Sequence, residues 1–332
     1  MKSVINKLQD LLNSKDQIWF DNVCKFIGLL SGITAIASFA SGLLRDENNL
    51  FLFISNHWSI ILFVLILILM LFLVLKYRNS AINKMRSASL RTKSILKMTL
   101  YCIDELDRIK QRIDTSGSDL YCGHCDVLND EYVLQVSKVY VDYAKQFINE
   151  LQIVMKGFIA YDVSFCIKII VGDEKDSVIS LARSENTSAD RFKYDNIETK
   201  ISENSDFEIL NKANDLSIHE PYFYEGNLDD YNEDLKRATK GTSEYKNSNS
   251  KWRDYYIGTM VVPISSVSSG EEESIITYGF LCADSKDERA FSERQKTINI
   301  ELMNTYALLF GMVCRKYNSI MEGLSKYYEK QD

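Results

Sequence analysis

Two uncharged apolar runs near the start of the chain, Phe26 to Leu44 and Trp58 to Leu75, constrain it most. Each approaches the roughly 20 residues that carry a helix across a hydrocarbon core. The segment between them, Arg45 to His57, holds Asp46, Glu47, Asn48 and Asn49 and is too short for a domain. Residues 26–75 therefore read as a transmembrane hairpin. A signal peptide fits less well: the first run starts well into the chain, has no short basic leader and is followed by a second span.

Lys76, Arg78, Lys84, Arg86, Arg91, Lys93 and Lys97 follow the second run with no acidic residue among them, whereas the hairpin loop sets Arg45 against Asp46 and Glu47. An excess of basic residues on one side marks that side as cytoplasmic. The expectation is a multi-pass protein of the cell membrane with both termini in the cytoplasm and the collar from Lys76 to Lys97 against anionic headgroups of the bilayer. Through Lys97 the chain has 12 Lys+Arg and 5 Asp+Glu; the remainder has 27 and 41. So acidic a remainder argues against general nucleic-acid binding, which needs a basic face. Seven cysteines (Cys24, Cys102, Cys122, Cys125, Cys166, Cys282, Cys314) lack the dense spacing of a secreted scaffold, so reduced thiols are expected.

Residues 1–25 read as an amphipathic N-terminal helix, with Val4, Ile5, Leu8, Leu11 and Leu12 on one face. It lies either in the headgroup plane or on another part of the protein. The first span has a GxxxG at Gly28 and Gly32, and Ser31, Thr34, Ser38 and Ser41 keep four hydroxyls on one face. That seam has two readings. It is a packing face whose hydroxyls bond their own helix, or a polar seam between copies in a homo-oligomer that lines a pore or switches between packings to perturb the membrane.

Residues 76–130 are read as the basic collar and a long helical connector, without Gly or Pro from Ser80 to Ile113. Ile82, Met85, Leu90, Ile95, Leu96, Leu100, Ile103, Leu106, Ile109 and Ile113 recur along it at mixed steps of three to five. Cys122-Gly123-His124-Cys125 sits in the following loop. A CxxC can serve redox chemistry, but thioredoxin-like use needs a strand before it and a zinc site needs two more ligands not evident nearby, so the readings are a thiol redox sensor or metal clip, or two unlinked thiols.

Residues 131–332 form the main domain. A helix is expected from Glu131 to Ile159. β-Branched runs at Val163–Val171 and Ser177–Ala182 then make a hairpin, and Tyr255–Ser265 with Ile275–Asp284 make another. Ser292 and Gln295 form an S-x-x-Q capping box before a long last helix. The order of elements, with Tyr256-Ile257-Gly258-Thr259-Met260-Val261-Val262-Pro263-Ile264, Tyr278-Gly279-Phe280-Leu281-Cys282-Ala283-Asp284 and Phe291-Ser292, resembles a GAF domain over about residues 131–320. The resemblance implies an α+β fold: an antiparallel sheet flanked by helices behind, a ligand pocket in front, and dimerisation through the first and last helices. It does not extend to the pattern of cyclic-nucleotide GAF domains, where Asp-Glu stands in place of Gln295-Lys296.

The segment 186–254 is where such folds build their pocket. Tyr222 and Tyr224 belong to one aromatic cluster, and Lys251, Trp252, Arg253 and Tyr256 to a second. Lys236, Arg237, Lys240, Lys246, Lys251 and Arg253 face only Glu244 between positions 236 and 253. Aromatic faces stack planar ligands and basic groups hold anions, so Tyr222, Tyr224, Lys251, Trp252, Arg253 and Tyr256 are the candidate site for a small anionic, nucleotide-like ligand. The competing reading is buried aromatics and solvated lysines. No phosphate loop, dinucleotide fingerprint, zincin or nucleophile-elbow motif occurs, and no catalytic set, metal or cofactor is expected. The function expected is a membrane-anchored ligand sensor that signals to its transmembrane helices, as in bacterial antiviral defence. The alternatives are a docking module for a partner protein and a thiol sensor through Cys122 and Cys125.

Overall fold

The computed structural model describes residues 50–116, 125–172, 174–195, 197–212, 222–267 and 275–329. The N-terminal segment, the first apolar run with Gly28, Ser31, Gly32, Thr34, Ser38 and Ser41, and Cys122 lie outside them. The chain divides into two compact units, Met1–Ser87 and Ala88–Asp332. The first contains the opening of helix α1 (Leu50–Ser116), where Ile68, Leu69, Met70, Phe72 and Leu73 of the second apolar run are exposed.

In the second unit the remainder of α1 contributes a heptad seam. Ala88, Ile95, Cys102 and Ile109 alternate at steps of four and three with Thr92, Thr99, Leu106 and Ile113, and all but the half-buried Thr92 are buried. Such a repeat keeps one stripe of a helix against its neighbours. Leu90 and Leu100, expected in the stripe from their apolarity, are instead exposed at 63% and 39%. The small and polar seam members are tied to the next layer. Thr99 donates to the Ile95 carbonyl at 2.8 Å, so the Tyr143 hydroxyl donates to Thr99 at 2.8 Å. Thr92 and Tyr306 repeat the arrangement one heptad earlier, at 2.7 Å. Arg91 pairs with Glu150 at 3.0 Å, and Lys316 pairs with Asp107.

The middle layer is α2 (Cys125–Met155) and the last helix, whose buried Tyr140, Tyr143, Phe147, Tyr306 and Phe310 interlock. Phe310 lies 5.2 Å from Phe147 and 5.6 Å from Tyr143, within the range where aromatic pairs attract. Both helices rest on a six-stranded antiparallel sheet in the order β3-β2-β1-β6-β5-β4. Its strands are β1 (Ser164–Val171), β2 (Ser177–Arg183), β3 (Thr199–Lys200), β4 (Phe223–Glu225), β5 (Gly258–Val267) and β6 (Ile275–Ser285). Phe165, Ile167, Met260, Val262, Ile264 and Leu281 are fully or almost fully buried, and alternation along each strand sets them opposite the cluster on the front face.

Gly279 and Gly311 are among the glycines required by close approach. A Cβ at Gly279 would stand 2.0 Å from the Lys168 carbonyl oxygen, and one at Gly311 2.3 Å from that of Ser265. The first lets β6 meet β1; the second lets the last helix lie directly on β5. Pro263 is accommodated because β4 pairs only with Thr259 to Val261, leaving that side of β5 without a ladder at Pro263.

Between β2 and β5 the chain covers the front of the sheet with α3 (Ser205–Lys212), α4 (Leu228–Ala238) and short 3₁₀ turns. The last helix, α5, is Lys296–Glu329. Its expected capping box does not form. Ser292 has no side-chain cap bond, and residues 293–295 make a 3₁₀ turn closed by Gln295 N donating to the Ser292 carbonyl at 3.0 Å. That carbonyl also accepts the Tyr224 hydroxyl at 3.1 Å, and the Gln295 side-chain oxygen is buried without a partner among the described residues. The stretch Glu293–Ser325 is long and apolar enough to cross a membrane by composition, with mean hydropathy 1.2, but 67% of its most apolar window is buried.

Candidate ligand-binding site

The front of the sheet opens into a cavity of about 300 Å³. Its floor is Cys166 and Lys168 of β1, Thr259 of β5 and Cys282 and Asp284 of β6; its walls come from the 3₁₀ turn 189–194, the start of α3 and the loop 247–251.

Arg183 reaches this face through an irregularity. Opposite Ile167 and Lys168 of β1 stand Ala182 and Ser180, so Leu181 is an extra residue in β2. The bulge brings Arg183 to the same face as Ser180, in register with Cys166. Its guanidinium pairs with Asp195 through Nε and donates from Nη2 to Ser180 at 2.9 Å. Nη1 is buried and has no hydrogen-bond partner among the described residues. Arg191, on the covering turn, donates to Asp284 Oδ2 at 2.7 Å, and Thr259 donates to Oδ1 at 2.8 Å. Burial opposes the Arg191 charge, but Asp284 holds its pKa above the ordinary value. The Tyr256 ring lies 5.2 Å from the same guanidinium, a cation–π distance.

Lys168 is half-buried and makes no ion pair among the described residues; its ammonium lies 5.6 Å from the Phe207 ring centre. Asp206 is the cavity's other carboxyl. Burial pushes its pKa up to about 7, against the opposing effect of the Phe207 amide, which donates to it at 3.0 Å, and of Lys168. Lys168, Arg183, Arg191 and Lys251 thus outnumber Asp284, Asp206 and the Asp195 that pairs with Arg183, and the cavity has a positive excess.

The loop wall is held in place. Ser248 donates to Asn204 Oδ1 from both its amide, at 3.1 Å, and its hydroxyl, at 3.0 Å, and Lys246 N donates to the Ser205 hydroxyl at 2.8 Å. Asn247 Nδ2 donates to the Tyr256 hydroxyl at 2.7 Å.

Of the residues singled out from the sequence, Lys251 and Tyr256 line the cavity. Trp252 is buried in the front cluster beside Tyr245. Arg253 points outward, bonded to Asp229 at 2.7 Å and 4.4 Å from the Trp252 ring centre. Tyr222 and Tyr224 flank Lys296 at 5.8 and 5.7 Å; Tyr224 packs on Phe291 and receives Asn299 Nδ2 at 3.3 Å. The basic island also disperses: Lys236 pairs with Glu233 and Arg237 with Asp234 along α4, carboxylates that lie just before the counted segment. Cys125 opens α2, and its partner in the CxxC lies outside the described residues. The residues that sequence reasoning missed are Lys168, Arg183, Arg191, Asp206 and Asp284. Alternation along β1 could have found Lys168, an isolated charge in an otherwise uncharged strand.

No family model and no curated protein matches the sequence. Solved structures similar to the chain include the GAF domain of an Acinetobacter phosphoenolpyruvate-protein phosphotransferase. It shows 12% identity and TM-score 0.33, covering 58% of this chain and 96% of that one. A type II free methionine-R-sulfoxide reductase from Thermoplasma acidophilum shows 15% identity and TM-score 0.32, covering 54% and 96%. The phycoerythrobilin-bound GAF domain of a cyanobacterial phytochrome shows 12% identity and TM-score 0.31, covering 64% and 96%. Similarity at this level carries no functional argument.

Proposed function

We propose that the chain is a GAF-like sensor of a small anionic ligand, anchored in the membrane by its N-terminal apolar runs. One observation carries the ligand class: Lys168, Arg183 and Arg191 converge on one cavity in which a buried Arg183 Nη1 has no partner among the described residues and Lys168 no carboxylate. An unsatisfied buried donor costs stability of order 1–3 kcal/mol unless something accepts from it. A phosphate or carboxylate oxygen is the chemical group that does so. The volume is at the lower end of the roughly 300–1,000 Å³ of small-molecule sites, which suits one compact ligand. Tyr256 and Phe207 offer aromatic surface for a planar part.

Anchoring is supported by the exposed run Ile68 to Leu75 in α1, since a contiguous apolar surface of this kind needs a partner other than water. In this reading the occupied cavity biases the helix layer and through it the packing of the membrane segments. The output is a membrane perturbation of the type used by nucleotide-signalled bacterial defence effectors.

The test is isothermal calorimetry of the full chain in nanodiscs against inorganic pyrophosphate and the nucleoside monophosphates, repeated with Lys168→Ala. Heats that are absent for every probe, or unchanged by the substitution, overturn the ligand class. Dye release from liposomes containing the protein then addresses the output. Release on addition of the binding anion is expected, and none under any binding ligand would favour a docking module.

A further inference from the structure

The cavity floor carries a second chemistry. Cys166 of β1 and Cys282 of β6 are directly opposed in the antiparallel register. Both line the cavity and both are free thiols. Opposed residues in antiparallel strands have Cα atoms about 4.5 or 5.5 Å apart, according to whether the pair is hydrogen-bonded. Both separations lie within the roughly 4.4–6.8 Å that a disulfide bridges, and the two Cβ atoms start on the same face, so closure needs little backbone movement. Arg183 continues the same row on the other side of Cys166. Cys166 is close enough to Arg183 and Arg191 to interact electrostatically with both.

We propose that Cys166 and Cys282 are a peroxide-sensitive dithiol that closes to a disulfide in the cavity floor. A small hydroperoxide enters through the cavity. The Cys166 sulfur attacks the distal peroxide oxygen, the O–O bond breaks, and the alcohol or water leaves with a proton, giving a sulfenic acid on Cys166. The Cys282 thiol then attacks that sulfur; the S–S bond forms, the S–O bond breaks, and the hydroxyl departs as water with the Cys282 proton. The two thiols are oxidised and the peroxide is reduced. Burial pushes the Cys282 thiol pKa well above its ordinary value, so the first attack on the peroxide is assigned to Cys166. The proposal does not depend on which anion the cavity takes, and it is distinct from the CxxC at residues 122–125.

The experiment treats the native full chain carrying Cys122→Ser and Cys125→Ser with hydrogen peroxide, alkylates remaining thiols, and maps unreduced peptides by mass spectrometry. A Cys166–Cys282 linked peptide, two hydrogens lighter than the reduced pair, is expected as the dominant oxidised species and should vanish on reduction. In Cys282→Ser the product on Cys166 should be a dimedone-reactive sulfenic acid. If both thiols alkylate fully after peroxide in the folded protein, or if the link forms only once the protein is denatured, the proposal fails. A normal melting curve for Cys282→Ser, alongside absent sulfenic acid, would also overturn it.

Discussion

Arg191 and Asp284 form a buried ion pair that joins the covering turn to the sheet floor, at 2.7 Å with side chains only 12% and 8% exposed. Thr259 fills the second carboxylate oxygen. Removing one partner strands the other in a desolvated place. Asp284→Ala should lower stability by about 3–5 kcal/mol, measured by urea unfolding, whereas Arg289→Ala, at an exposed pair with Asp287, should change little.

Anion binding separates the charged candidates. Lys168→Ala should weaken pyrophosphate binding at least about tenfold, the effect of losing about 1.4 kcal/mol of charge-assisted contact, while the melting temperature holds. Arg253→Ala should leave affinity unchanged, because Arg253 is committed to Asp229 and Trp252 outside the cavity. Calorimetry on the two variants decides between the structure's cavity residues and those expected from composition.

Asp206 makes stability depend on pH. Its folded pKa, about 7, is raised above the roughly 3.9 of an unfolded aspartate. Between these values the folded state holds a proton that the unfolded state has lost. The Asp206 contribution therefore declines as pH rises from about 4 to about 7 and is constant above. Asp206→Asn keeps an acceptor for the Phe207 amide and removes the titration. It should be more stable than the parent at pH 8 and show a flatter pH profile in thermal melts.

The hydroxyl rungs of the α1 seam should behave as coupled pairs. Thr99→Val leaves the buried Tyr143 hydroxyl without its acceptor and should cost about 1–3 kcal/mol. Adding Tyr143→Phe should recover part of that loss, so a double-mutant cycle should give a coupling near 1 kcal/mol.

Glycine substitutions in the last helix should differ in sign. Gly311→Ala would drive a Cβ into the Ser265 backbone and should destabilise by about 1–3 kcal/mol. Gly323→Ala meets nothing within 4 Å and should stabilise by about 0.5–1 kcal/mol through helix propensity. Thermal melts of the two variants provide the comparison.

Both hairpins and the long helices of the domain were legible because their apolar periods are clean; β5 and β6 differ from the expected runs by a few residues at their ends. The seam of α1 was less so. Its positions are held partly by Ala88, Thr92, Thr99 and Cys102, which a count of large apolar residues passes over in favour of the exposed Leu90 and Leu100. The cavity was harder still. Arg191 sits in Asp190-Arg191-Phe192-Lys193, which reads as a solvated stretch until Asp284 is brought to it from far along the chain. Arg183 was hidden by the bulge at Leu181, since strict alternation places it on the opposite face from Ser180. Conversely, three of the six basic residues of the 236–253 island, Lys236, Arg237 and Arg253, are paired with carboxylates that lie upstream of the counted segment.

Leu281 and Cys282 are consecutive in β6, yet one belongs to the face packed by the helices and the other to the cavity floor. The partition between chemistry and mechanics is one peptide plane thick. A strand pressed from one side cannot absorb the push in a soft intermediate layer, and it meets a helix that, at Gly311, rests directly on the neighbouring strand. In the sensor reading proposed above, whatever occupies the cavity, or closes a bond across its floor, touches a sheet one strand thick with the last helix on its other face.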